Sequence, residues 1–335
     1  MKPDRDLGLA AVARVAGVSA ATVSNVINRP HMVSAETQER VRRAITELDF
    51  VPNRAAATLR QGTNRLLGLV IPDVANPFYS AIASAVADAA DRNRFTLALC
   101  PSHEDHDREL RHFEMLAEQR AAGALVVPMS ADASRLNRLR MVGTRLVLVD
   151  RIAPSDDGCS VAIDDVLGGA LATGHLLTSG PPHLTLVNGP RSIPQCEDRR
   201  TGAFRAFETA GLEPRIVEYE SEHMVLAEGE EIGRRIAEDG APLMIFCTND
   251  QLAIGVIRGL ASAGIGTPSD ARVVGYGDLA IAEMSTLPLT SVAQPKADLG
   301  TRAVELLMAE LQDGPAHHHH ADILSPRLII RESAP

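Results

Sequence analysis

The chain contains no tryptophan, and aromatic residues of all kinds make up only 3% of its 335 positions. Its core must therefore come from the aliphatic side chains that dominate the 45% apolar fraction, a mixture that suits helices packed closely on an aliphatic sheet. Long apolar runs are missing as well. No segment reaches the roughly 18 consecutive apolar residues of a membrane span, and the opening MKPDRDLGLA lacks the apolar stretch of a secretory signal. A cytoplasmic protein with no membrane partner is expected. Cysteine is scarce: Cys100, Cys159, Cys196 and Cys247 are scattered with no Cys-x-x-Cys pair, which fits reduced thiols better than a disulfide framework or a zinc site. Walker-type phosphate loops, Gly-x-Ser-x-Gly elbows and His-Glu-x-x-His pairs are absent too, and no evident nucleophile is paired with a base, so the sequence gives no support to an enzyme.

What is present divides unevenly. The length exceeds the roughly 100–200 residues of one ordinary domain and implies two or three. Residues 1–62 hold nine Lys/Arg against six Asp/Glu, while the remainder holds 24 against 37. The head is basic and the body acidic. Such a head gains by releasing counterions from a duplex, while an acidic body discourages nonspecific adhesion to phosphate.

The first sixty residues carry short helical patterns. Leu9, Val12, Ala13 and Ala16 form one stripe, which Gly17 interrupts. Ser19 is placed to cap a second helix over Ala20 to Ile27, and Ser34 a third whose apolar positions are Val41, Ala44, Ile45 and Leu48. Three short helices around a small aliphatic core make a helix-turn-helix module. Beyond it, strands are expected over Leu66–Ile71, Thr96–Cys100, Ala124–Val127, Arg145–Val149, Leu184–Val187, Met244–Cys247 and Arg272–Val274. Helices are expected between several of them, over Pro77–Arg92, Arg108–Arg120, Gly168–Leu177, Arg199–Ala210 and Gln251–Ala263. This rhythm predicts parallel sheets covered by helices on both faces. Several strands end in polar loops, Asp73–Asn76, Asp150–Arg151, Asn188–Arg191 and Thr248–Asp250. Each loop alone is an ordinary turn composition, but together they suggest one ligand cleft at the carboxyl ends of the strands.

The segment VARVAGVSAATVSNVINRPHMVSAETQERVRRAITELDFVPNRAAATLRQG resembles the head of the lactose and galactose repressor (LacI/GalR) family. So, in family order, do IPDVANPFYS, VLVDR, NDQLAIG, VVGYGDL, PLTSVAQP and the closing RLIIRES. The resemblance covers nearly the whole chain. It implies a transcriptional regulator, most simply a repressor: a DNA-binding head over 1–51, a hinge over 52–65, and a two-lobed body over 66–335 similar to periplasmic sugar-binding proteins. One lobe is expected at about 66–163 plus 293–314, the other at about 164–292 plus 315–335.

By that family pattern Ala20, Ala21 and Asn25 face base edges, where a methyl packs on thymine and Asn addresses adenine. Ser19, Thr22, Ser24 and Asn28 are candidates for phosphate contacts, although Thr22 serves equally well as a packing or capping residue. Helix one departs from the family, with Gly8, Leu9, Ala10 and Ala11 where a threonine cap and polar lead-in are usual, leaving Asp6 as a substitute cap. Asn53, Arg54, Ala57 and Leu59 match the hinge that becomes helical on operator, Leu59 being the minor-groove wedge; a linker leucine packed on the body is the plainer alternative. For the effector, the resemblance points to Phe78, Asp150, Arg151, Arg199, Asn249 and Asp250, with Asn76, Tyr79, His223 and Asp278 as secondary candidates. An Asp acceptor and a planar Arg fork suit a sugar or related polar metabolite. Gly277 stands where many relatives have a ligand-binding Asp, which weakens the sugar assignment.

Expected partners are thus double-stranded DNA at a near-palindromic operator, a small polar effector and a second copy of the chain. No leucine heptad follows Arg331 and Glu332, so a homodimer is the expected limit. Neither cofactor nor metal is expected: the run His317–His320 can capture a metal opportunistically, but consecutive side chains do not converge as a zinc site requires. Two other classes remain: a solute-binding transport protein, which would need a signal sequence and have no use for residues 1–62, and an enzyme on the same two-lobed body.

Overall fold

The computed structural model describes residues 8–50, 64–129, 133–152, 158–178 and 180–335, with the side chains of Asn28, Ala133 and Ser134 outside that set. Asp6 and the hinge residues Asn53, Arg54, Ala57 and Leu59 therefore lie outside the described residues. The chain divides into two units, Met1–Asn64 and Arg65–Pro335.

The first unit holds α1 (Leu9–Ala16), α2 (Ala20–Asn28) and α3 (Ala35–Glu47). Gly17 takes a left-handed φ of 65° and ends α1 by donating its N–H to Ala13 O, a conformation that costs glycine little. The axis bends by 101° from Leu9–Ala16 to Ala20–Ile27, the geometry of a helix-turn-helix pair. Val12, Ala13, Ala16, Val23, Val26, Val41, Ala44 and Phe50 close a small core. Ser19 caps α2 as expected, its Oγ accepting from Thr22 N at 3.0 Å. Ser34 differs, since its hydroxyl donates to Thr37 Oγ1 at 3.0 Å and makes no backbone cap.

The second unit contains two six-stranded sheets. The first comprises β1 (Asn64–Ile71), β2 (Thr96–Pro101), β3 (Ala121–Val126), β4 (Arg145–Val149), β5 (Cys159–Ile163) and β11 (Ala321–Leu324), ordered β2-β1-β3-β4-β5-β11. The second comprises β6 (Leu184–Asn188), β7 (Ile216–Glu220), β8 (Met244–Cys247), β9 (Arg272–Gly277), β10 (Thr290–Ala293) and β12 (Arg327–Ile329), ordered β7-β6-β8-β9-β10-β12. Only the terminal β10–β12 pair is antiparallel among the described pairings. Strand order reverses beside β1 and again beside β6, and such reversals open crevices at the strands' carboxyl ends.

The covering helices are α4 (Pro77–Arg92), α5 (His106–Glu118), α6 (Asn137–Met141), α7 (Asp165–Thr178), α8 (Pro194–Thr209), α9 (Leu226–Asp239), α10 (Asp250–Ser262), α11 (Ala280–Met284) and α12 (Lys296–Asp313). Aliphatic side chains fill the layers, as the shortage of aromatics requires: Leu67, Leu69, Ile71, Val147 and Val161 meet Ile82, Val86 and Leu307 in the first lobe. Glycines let two helix pairs approach closely. A Cβ on Gly255 would lie 2.2 Å from Leu226 O, joining α9 to α10, and one on Gly202 would lie 2.0 Å from Val166 O, joining α7 to α8.

The chain passes between the sheets three times, after β5, after β10 and after β11. The last passage corrects the expected lobe boundary. Residues 315–335 do not all belong to lobe two, because Ala321–Leu324 pairs in parallel with Ser160–Ile163 in the first sheet and only β12 joins the second. Among the described residues no single helix is long and apolar enough to cross a membrane.

Candidate functional site

On the head, the exposed residues Ser19, Ala20, Ala21 and Asn25 lie at the start and along one face of α2, with Thr22 and Ser24 half-buried beside them. Ser19 Oγ also meets Thr22 Oγ1 at 2.9 Å, so these two hydroxyls first stabilise the helix start. Alanines at 20 and 21 leave a shallow surface, and Asn25 carries the bidentate amide among the expected base-reading positions.

In the body, the polar groups converge where β4 and β5 end opposite the start of α8. Asp150 follows β4 with a left-handed φ of 58°, held there by its N–H to Val161 O at 2.8 Å. Its carboxylate is 6% exposed. Oδ2 accepts from Gln195 Nε2 at 2.8 Å, and the same amide donates to Asp150 O at 2.8 Å. One hydrogen-bond donor on α8 thus bridges the two lobes. Oδ1 is buried with no hydrogen-bond partner. Burial, and then the negative charge of Asp165, push the Asp150 carboxyl up to about 7 against the pull of Arg199.

Arg199 lies one turn along α8. Its Nε donates to Asp165 Oδ1 at 2.8 Å and Nη1 to Thr248 O at 2.8 Å, and its guanidinium sits 3.9 Å from the Tyr276 ring centroid. Tyr276 completes the cluster by donating its hydroxyl to the same Asp165 oxygen at 2.6 Å. Burial disfavours the arginine charge, but Asp165 more than offsets it and holds the guanidinium protonated. The close approach of α7 and α8 at Gly169, where a Cβ would meet Arg199 O at 2.0 Å, is what brings Asp165 and Arg199 together. Tyr79, packed edge-on to Phe78 at 5.2 Å, feels the charges of Asp150, Arg199 and Arg151, and burial first and then Asp150 hold its hydroxyl protonated.

The other expected positions are placed differently. Phe78 is a core residue of the first lobe. Asn76 is exposed and caps α4, accepting from Phe78 N at 3.0 Å. Asn249 caps α10 through Leu252 N at 2.7 Å and donates to Met224 O at 2.8 Å, tying that helix to the loop of His223. His223 itself is exposed. Asp250 departs furthest from the expectation: it is fully buried, and its two oxygens accept from Leu279 N at 2.7 Å and Ser291 Oγ at 2.6 Å. It pins the loop after β9. Asp278 pairs with Arg331 at 2.8 Å, and Lys296 reaches the carbonyls of Gly277 and Asp278.

Asp165, Gln195 and Tyr276 were not among the expected site residues. Asp165 follows β5, a five-residue strand absent from the sequence-based expectation, so its carboxyl-end loop went unread. Gln195 offers no chemical signal alone. Tyr276 sits in the VVGYGDL motif next to Gly277, where a tyrosine among aliphatic residues reads as core.

Residues 9–53 match the family described as bacterial regulatory proteins, lacI family, and residues 173–334 a periplasmic binding protein-like domain. The chain is 31% identical over 328 residues to the HTH-type transcriptional repressor PurR of Photobacterium profundum, covering 96% of this chain and 97% of the relative. It is 29% identical over 327 residues to the HTH-type transcriptional repressor PurR of Aliivibrio salmonicida, with the same coverage of both. Among solved structures it is similar to the lac repressor dimer bound to operator and the anti-inducer ONPF, with a TM-score of 0.85 at 25% identity over 96% of this chain and 97% of that one. The transcriptional regulator CelR–cellobiose complex aligns with a TM-score of 0.71 at 28% identity over 97% and 99%. A helix-turn-helix head, a two-lobed parallel-sheet body and kinship along the whole length to transcriptional repressors place this protein in the LacI family of DNA-binding transcriptional regulators.

Proposed function

We propose that this regulator represses transcription as a cytoplasmic homodimer on a near-palindromic operator, and that a small polar effector bound between the lobes of its body releases it. Catalysis has no part in this reading. Symmetry of two identical heads calls for symmetric half-sites, with Ala20, Ala21 and Asn25 reading bases, Ser19, Thr22, Ser24 and Asn28 steadying the phosphates, and Leu59 of the hinge wedging the minor groove.

The observation that carries the effector reading is the unpartnered, buried Oδ1 of Asp150. A buried acceptor without a donor costs about 1–3 kcal/mol, and an effector hydroxyl or N–H placed there recovers it. Tyr79, Arg151, Asp165 and Arg199 surround that point with charge of both signs, a setting for a polyhydroxylated or amide-bearing molecule. The solved relatives were captured with such ligands: cellobiose in one case, ribose in another.

The test begins with a thermal-shift screen of sugars and related metabolites on the full chain, since binding to the folded state alone raises stability by mass action. Operator fragments selected from genomic DNA are then titrated with the hits. The expected result is specific retardation by the wild-type protein, relieved by effector, and for Asp150→Ala retained operator binding with loss of relief. Unaltered relief in Asp150→Ala would remove that carboxylate from the site, and lack of specific retardation of any fragment would remove the regulator reading itself.

A further inference from the structure

Remote from the cleft, at the far edge of the first sheet, the structure resolves the histidine run differently from its sequence. The short turn Gly314–Ala316 ends α12 and delivers His317 onto Cys159, the first residue of β5. The His317 side chain is only 5% exposed and Cys159 is fully buried. Cys159 Sγ lies 3.2 Å from His317 Nε2 and 3.7 Å from His319 Nδ1. Ligand bonds of about 2.3 Å to sulfur and 2.05 Å to nitrogen at tetrahedral angles set an S···N separation of about 3.6 Å, between those two distances.

Two sets of ligand atoms gather on the one sulfur, Cys159 with His317 and His320, and Cys159 with Glu310 and His319, each within 4.8 Å of one another. The surroundings are built to hold them. Asp313 Oδ2 lies 2.9 Å from His317 Nδ1, which fixes the tautomer that turns Nε2 toward the sulfur, the carboxylate–histidine arrangement that orients metal ligands. Ser160 N donates to His320 O at 3.1 Å, and the pairing of Ala321 with Ser160 locks the run in register beside β5. Glu310 is 4% exposed, and its Oε2 is buried with no hydrogen-bond partner. Consecutive histidines alone do not converge; here the convergence comes from a cysteine about 160 residues away in the chain.

We propose that Cys159, His317 and His320 bind one divalent transition-metal ion of borderline softness, Zn2+ being the best fit, with His319 and Glu310 as the adjacent source of a further ligand. Mixed thiolate and imidazole donors select zinc, cobalt and nickel over magnesium and calcium. On binding, the Sγ–H bond breaks, its proton leaves to solvent, and the thiolate lone pair forms the Sγ–metal bond, with both histidines neutral and no change in oxidation state. The bound ion staples the lead-in of β11 to β5.

The experiment titrates the full-length reduced protein with Co2+, followed by its visible spectrum, and then displaces the cobalt with Zn2+. One Co2+ per chain is expected, with a sulfur-to-cobalt charge-transfer band and release of about one proton per ion. Cys159→Ser should abolish the band and His317→Ala weaken binding at least about 10-fold. Asp313→Ala, which removes only the orienting carboxylate, should weaken it about 10-fold. His318→Ala should change nothing, as His318 is exposed and belongs to neither ligand set. Circular dichroism of the Cys159→Ser and His317→Ala proteins establishes that each variant is folded. Absence of the sulfur band in wild type, or zinc uptake that survives Cys159→Ser and falls with His318→Ala, would overturn the proposal in favour of casual capture by the histidine run.

Discussion

Replacing Asp150 by Asn should stabilise the free protein at neutral pH and leave it almost unchanged in mild acid. Asn reproduces the protonated acid: its carbonyl takes the Gln195 hydrogen bond, and its amide stands where the protonated Oδ1 would be. The wild-type carboxyl is held up to about 7 by burial and by Asp165, whereas in the unfolded chain it titrates near 3.9. Because the folded-state value is raised, the stabilisation associated with the bound proton is fully present below about pH 4 and is lost as pH rises through about 7. A separation of about three pH units at about 1.4 kcal/mol each gives a ceiling of about 4 kcal/mol. At about 2–4 °C per kcal/mol for a body of this size, the melting temperature of the variant should exceed that of wild type by several degrees at pH 8. The assay is a series of thermal melts of both proteins from pH 4.5 to 8.5 without effector. A difference that is constant across the range, or that grows toward acid, would show that the surroundings of Asp150 do not hold its carboxyl up. With effector present the sign reverses: a donor on Oδ1 favours the carboxylate, so effector affinity of the wild type should rise with pH up to about 7 and flatten above it.

Arg199→Ala strands the buried Asp165 carboxylate and should cost about 3–5 kcal/mol in urea unfolding, while Arg199→Lys recovers only part, since an ammonium cannot match the two fixed directions toward Asp165 and Thr248. Gly255→Ala would force α9 and α10 apart, a Cβ falling 2.2 Å from Leu226 O, and should lower stability by about 1–3 kcal/mol, read from the same unfolding curves. Asn25→Ala should leave the melting profile of the protein unchanged and alter the operator preference at one position per half-site by about 1–3 kcal/mol, measured by selection from randomised duplexes. Ser19→Ala removes the α2 cap and should cost the head about 1 kcal/mol, seen as earlier loss of helical signal at low temperature.

Much of this architecture was legible because aliphatic runs and helix caps are local signals. The seven strands read from the sequence all exist, and Ser19 caps the helix assigned to it. The strands that went unread, β5, β7, β10, β11 and β12, are three to five residues long, and β7 leaves four of its five residues exposed or half-buried, so neither length nor alternation marks them. Of the candidate site, the sequence names Asp150 and Arg199, which lie near enough for the arginine's charge to act on the carboxyl, but it does not show that Asp250 spends both oxygens on its own lobe, because a buried carboxylate with two local donors looks in sequence just like one aimed at a ligand. Tertiary partners such as Gln195 and Asp165 carry no label of their own. The histidine run shows no convergence in sequence for the same reason: its neighbour in the fold, Cys159, lies in a different part of the chain.

The interlacing of the lobes sets an order of events during synthesis. The head lies within the first fifty residues and needs nothing that follows to close its core. The first sheet waits for β11, whose partner strand β5 was made about 160 residues earlier, and the second waits for β12 and for Ser333, whose N–H bonds to Pro288 O at 3.0 Å. At roughly 5–20 residues per second, the roughly 280 residues between the end of the head and the last strands leave an interval of about 15–60 s in which the nascent chain carries a finished DNA-binding head on a body whose sheets both still lack an edge. Each new molecule of this regulator thus completes its DNA-binding head well before it completes the body that carries the candidate effector site.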